Sequence, residues 1–135
     1  MIRNILATFA GFILASMVVY IFETGIGHNL FPLPEDANPT DMDWIKNNMN
    51  RIPVGAKVFV VIGHFMGIIS GMFIAGFISK TSMIPAYIVA GLMILATAFV
   101  TLTLPKGLWF ILAEVIAVFA GFHFGKPLAQ KHVFN

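Results

Sequence analysis

Four ionisable side chains, Glu23, His64, Glu114 and His123, fall inside or at the ends of apolar runs, and His28 follows the first run closely. A charge inside a bilayer costs several kcal/mol, so such groups turn toward a bundle interior, pair with one another and mark proton or ion sites. Helical spacing assigns their faces. His64 shares a stripe with Gly67, Gly71 and Ala75 at i+3, i+7 and i+11, and Glu114 shares one with Ala117, Gly121 and Gly125 at the same offsets. Gly63, Gly67 and Gly71 form two overlapping GxxxG motifs, which let backbones approach closely where lipid supplies no hydrophobic drive. Both stripes predict helix-packing faces, with His64 and Glu114 turned inward. Glu23, His28, His64 and Glu114 are therefore the candidate polar cup for a proton or cation. The competing interpretation makes His64 and Glu114 a satisfied polar pair, or a water-linked cluster, that fixes helix register.

Other chemistries are narrowed by what is missing. Two His and two carboxylates could suit zinc or a harder ion, but the sequence has no tight ligand spacing such as HExxH, and no metal or other cofactor is expected. The chain has no Cys, which removes thiolate nucleophiles, disulfide exchange, iron-sulfur clusters and Cys-type zinc sites. No nucleophile with a positioned base can be read from the spacing, so an enzyme is not expected. His123 and Lys126 stand near the end of the last apolar run, where a snorkelling interfacial role fits them.

The elements that must position these groups are membrane spans. Of 135 residues, 59% are hydrophobic and 10% charged, with mean hydropathy +0.90, against roughly 25% charged in soluble domains. A span needs about 20 apolar residues. Apolar runs at 4–22, 58–78, 84–104 and 108–125 predict an all-α integral membrane protein, a four-helix up-down bundle in one domain over residues 1–135. The first run is too long for a signal-peptide core, and bulky Tyr20 and Phe22 occupy the place of a cleavage site, so it is expected to be retained. Short connections at 80–82 and 105–107 make helices two and three, and three and four, antiparallel neighbours. Pro85 falls in a first turn, whereas Pro105 and Pro127 are expected just past helix ends.

The loop 23–57 holds five of the six carboxylates. Gly25 and Gly27 are expected to unwind the chain before His28. Thr40 and Asp43 resemble a capping box, and Met42, Ile45, Met49 and Ile52 follow at helical spacing. They predict an interfacial amphipathic helix over about 40–50 that covers the bundle mouth. Counted from Lys57 and Lys106, His64 and Glu114 lie at similar depth, about 10 to 12 Å along their helices. In a ring of four, helices two and four are diagonal. Helix three offers only Thr97, Thr101, Thr103 and Gly91 as features, and is expected to face lipid or a neighbouring subunit. Small residues gather at the other end of the bundle, which should be tight there and open at the loop.

Net charge is +2 and the isoelectric point about 9.2, but the eight Lys and Arg stand at span ends. They set orientation and do not point to nucleic acid. Arg3, Lys80, Lys126 and Lys131 on one side balance Lys46, Arg51, Lys57 and Lys106 on the other. Arg3 ahead of the first helix and the paired lysines after the fourth place both termini in the cytoplasm.

The segment from Glu23 to His28, the loop with Pro32, Pro34 and its acidic stretch, Pro53, and the glycines at 63, 67 and 71 resemble a group of small uncharacterised bacterial four-span membrane proteins. The resemblance implies the four-span fold and a bacterial cytoplasmic (inner) membrane, with no activity to carry over. Small multidrug transporters also have four spans and an intramembrane Glu in helix one, but here Glu23 ends the helix and a long acidic loop follows, so that match is rejected. The first functional expectation is a non-enzymatic accessory or structural subunit of a homo-oligomer or larger membrane complex. The alternative is a proton- or cation-linked binding or transport protein using the outward Glu/His cup.

Overall fold

The computed structural model describes residues 1–134, and Asn135 lies outside them. Four long helices pack as a bundle, each long and apolar enough to cross a membrane. The first is Ile2–Tyr20, which runs on through a π-helical segment, Ile21–Gly27, into a short turn, His28–Leu30. The second is Val54–Ser79, the third Ile84–Thr103 and the fourth Leu108–Gln130. This is the pattern of a multi-pass membrane protein.

Two helix ends differ from the sequence expectation. Gly25 and Gly27 do not unwind the chain, because Gly27 serves packing. A Cβ there would sit 2.8 Å from Phe59 Cβ on the second helix. The fourth helix also continues through Pro127 to Gln130. Proline costs a helix one hydrogen bond and crowds the carbonyl four residues back. Here a tertiary contact holds the turn: a Cβ on Gly76 would lie 2.7 Å from the carbonyl oxygen of Ala129, which is fully buried.

The loop helix is Met42–Asn48, followed by a 3-10 turn, Met49–Arg51. Its cap is Asp41 and not Thr40. The Asp41 carboxylate accepts from the backbone N–H groups of Asp43 (2.9 Å) and Trp44 (3.4 Å), whereas the Thr40 hydroxyl donates back to Asn38 Oδ1 at 2.7 Å.

The second helix is the hub. Gly63, Gly67 and Gly71 receive the first helix, and a Cβ on Gly71 would lie 2.8 Å from Ala15 Cβ and 2.9 Å from the Gly11 carbonyl oxygen. On the adjacent face, fully buried Ile68 and Met72 receive Gly121 and Gly125 of the fourth helix. Ala75 and Ala117 are buried as well. The second and fourth helices are thus direct neighbours and not diagonal, and the third and fourth touch little. Nor is the third helix a lipid-facing bystander. It packs against the first and second helices through buried Pro85, Ala86, Val89, Ala90 and Met93, while Leu95, Phe99 and Leu102 stay exposed.

Candidate functional site

Glu114, 1% exposed, stands near the start of the fourth helix and is the one carboxylate in the buried core of the described residues. Lys106 precedes that helix by two residues, where the positive end of the helix dipole disfavours a cation. Its chain folds over the Phe110 ring, 4.6 Å from the centroid. The ammonium then reaches Glu114 Oε2 at 2.5 Å, with the two side chains 2% and 1% exposed. The third helix contributes the Thr101 hydroxyl, which donates to the same oxygen at 3.0 Å. The second helix contributes His64, whose Nδ1 lies 3.0 Å from Oε1. That approach is off the hydrogen-bonding direction, and neither atom has a hydrogen-bond partner among the described residues. It is a charge contact that attracts when the imidazole is protonated, so Lys106 and Thr101 are the directional partners of the carboxylate. With His64 counted, one buried group touches side chains from the second and third helices as well as its own.

Above this linkage, at the loop end, lies a cavity of about 260 Å³. Its ionisable wall is Glu23, His28, Lys57, His64 and Lys106. Met42, Trp44 and Ile45 of the loop helix and Met49 of the turn after it partly cover it with an apolar face, and Val60 and Phe110 face it from the bundle. The loop helix is therefore a lid. A tether holds the lid loop: Arg51 donates to both Asp36 carboxylate oxygens, at 2.9 and 2.6 Å, and to Asn48 Oδ1 at 2.9 Å. The Arg51 hydrogen bond holds the exposed Asp36 carboxyl down to about 2.

Of the sequence-nominated cup residues, Glu23, His28 and His64 line one cavity. Glu114 does not line it. It lies beneath, against His64 and Lys106, and the Lys106 ammonium takes the place beside it that a cation would need. No three His, Asp or Glu among the described residues are grouped to hold a metal ion. His123 is exposed, its ring edge-on to Phe124, and joins neither feature. Three participants escape the spacing argument: Lys57, Thr101 and Lys106. A cation at the unfavourable end of a helix dipole, eight positions before a buried Glu, is the signal that would have found Lys106. Thr101 follows buried Thr97 by four residues and so shares its inward face.

Compared with protein-family models, curated proteins and solved structures, the chain matches none.

Proposed function

We propose that the chain is a non-enzymatic binding protein of the bacterial inner membrane, with the lid-covered cup as its ligand site. One observation carries this: a cavity of about 260 Å³ whose wall combines the apolar lid face with ionisable Glu23, His28, Lys57 and His64. Mostly apolar walls with a few convergent polar groups are the general composition of small-molecule sites. The Glu114 carboxylate is engaged by Lys106 and Thr101, so proton exchange with an occupant falls to Glu23 and the two histidines of the wall. Native mass spectrometry in mild detergent tests the proposal. A small-molecule mass bound to the monomer, lost when the lid residues 42–51 are replaced by a Gly/Ser linker, is the expected result. A ligand-free chain held to a foreign subunit overturns it.

The second reading, an accessory or structural subunit of a homo-oligomer or larger complex, is favoured by an open apolar groove of about 360 Å³ along Phe12, Ile13, Ser16, Met17, Tyr20 and Ile21 of the first helix. It loses two of its supports. The glycine stripes that suggested an oligomer contact are consumed within the chain, and the third helix is part of the core.

Arg3, Lys126 and Lys131 support cytoplasmic termini with the lid outside. In this Cys-free chain, single cysteines at Asn47 and at Gln130 should label with an impermeant maleimide in intact cells at Asn47 alone. The reverse pattern inverts the topology.

A further inference from the structure

The charges around the cup fall into two sets. Lys106 with Glu114 and Arg51 with Asp36 are ion-paired. Glu23, from the first helix, and Lys57, from the second, line the same cavity and are half-buried. Neither side chain makes an ion pair or hydrogen bond with any described residue, and they are not within ion-pair distance of each other. Unpaired charge against apolar walls is unfavourable. Two opposite charges that line one cavity without pairing are both satisfied by an occupant that carries the complementary pair.

We infer that the cup takes a compact zwitterion, a primary ammonium and a carboxylate or phosphate held close together with an apolar tail. The ammonium faces Glu23, the acid group faces Lys57, and the tail lies against Trp44, Ile45 and Val60. The inference rests on the cup being a binding site and names its ligand class. Size agrees, since 260 Å³ is below the roughly 300–1,000 Å³ of drug-sized sites. A purely cationic ligand held by aromatic faces fits less well, because Lys106 already stands over Phe110 and Arg51 over Trp44. Independently, Glu23 belongs to the π-helical segment Ile21–Gly27, a rare conformation that concentrates at functional sites. The ligand chemistry has two sources, a free apolar amino acid and the phosphoethanolamine headgroup of a lipid.

The test uses the full chain carrying Trp109→Phe, which leaves Trp44 in the lid as the sole tryptophan. Its emission is titrated with L-leucine, with phosphoethanolamine, and with the two single-charge analogues of leucine, isoamylamine and 4-methylpentanoate. At least one zwitterion should give a saturable change, with both analogues at least tenfold weaker. Glu23→Gln should abolish the advantage of leucine over 4-methylpentanoate, and Lys57→Met its advantage over isoamylamine. Tighter phosphoethanolamine binding identifies the headgroup, and tighter leucine binding the free amino acid. The analogue series needs no cup variant, so a variant that fails to fold does not blunt the test. A single-charge analogue binding as well as the tighter of the two zwitterions overturns the zwitterion assignment and leaves the cup a binding site. No response to either zwitterion also overturns the assignment, and a small-molecule mass in the native spectrum then shows whether the cup reading survives.

Discussion

The two ends of the bundle solve opposite packing problems. At the end bearing the termini, small residues bring backbones together: a Cβ on Gly11 would lie 2.7 Å from the Gly71 carbonyl oxygen, and Ala75, Ala86, Ala90 and Ala129 are all at most 1% exposed. The buried polar side chain there is Ser79, whose hydroxyl lies 2.8 Å from Asn4 Oδ1 and 2.9 Å from the Ser82 carbonyl oxygen. At the loop end, Trp44, Met49 and Phe110 line a gap that forms the cavity, with the Lys106–Glu114 pair beside it. Close backbone approach and accommodation of charge are alternatives. Glycine and alanine leave no room for an ammonium and its carboxylate, whereas bulky side chains create that room and then require a lid.

The largest effect should come from breaking the loop end at its pair. Glu114→Leu leaves the Lys106 ammonium buried without its carboxylate, and loss of one member of such a pair costs about 3–5 kcal/mol. Combining it with Lys106→Met should restore most of that loss, as read from thermal unfolding in detergent. Strictly additive losses would dissolve the pair. Next is the closed end, where Gly71→Leu or Gly76→Leu overpacks and should cost about 1–3 kcal/mol. A Cβ on Gly91 would meet nothing within 4 Å, so Gly91→Ala should be neutral or gain about 0.5–1 kcal/mol of helix preference. Equal destabilisation at 71 and 91 would remove the contrast between close contact and open surface.

His64→Leu should cost less than Glu114→Leu, at most about 1.5 kcal/mol, because its contact with Glu114 is not aligned as a hydrogen bond. A loss equal to that of Glu114→Leu would make His64 the principal partner. The smallest effect is at the lid tether. The carboxyl of Asp36 is lowered from 3.8 to about 2 by Arg51, so the tether contributes fully above about pH 4 and is lost as pH falls through 2. Trp44 emission of the wild type should change over that window more than in Asp36→Asn. Identical titrations would show that the tether does not hold the lid.

Sequence makes the four helices legible because hydropathy and a 3.6-residue period are local properties. Those properties also turn His64 and Glu114 inward, and the two meet at 3.0 Å. What they do not encode is the order of helices around the bundle. Short connections permit both a ring and a hub, and the choice follows from which faces of the second helix carry Gly67 and Gly71 and which carry Ile68 and Met72. The same gap conceals the third helix, whose Thr101 matters only once the fourth helix is placed beside it. Lys106 reads as an orientation charge because exposed lysines at span ends are common. Its burial depends on a chain folded back over Phe110, a conformation that no periodicity reveals. The helical spacing of Met42, Ile45 and Met49 does reveal the loop helix, although its cap is Asp41 and not Thr40.

The π-helical segment Ile21–Gly27 also has a consequence in angular phase. Its bonds run from i to i+5, so each closed turn takes one residue more than an α-turn. Deleting a single residue such as Ile26 would allow ordinary i to i+4 bonding while leaving the hydropathy of the run almost unchanged. Everything beyond the deletion would keep nearly its present direction, because the residue removed is the one the wider turns take up, whereas the same seven residues bonded i to i+4 would turn it by about 100°, carrying His28 and the attachment of the lid around the helix axis. The π-helical bonding of Ile21 to Gly27 therefore sets the direction from which the lid approaches the bundle.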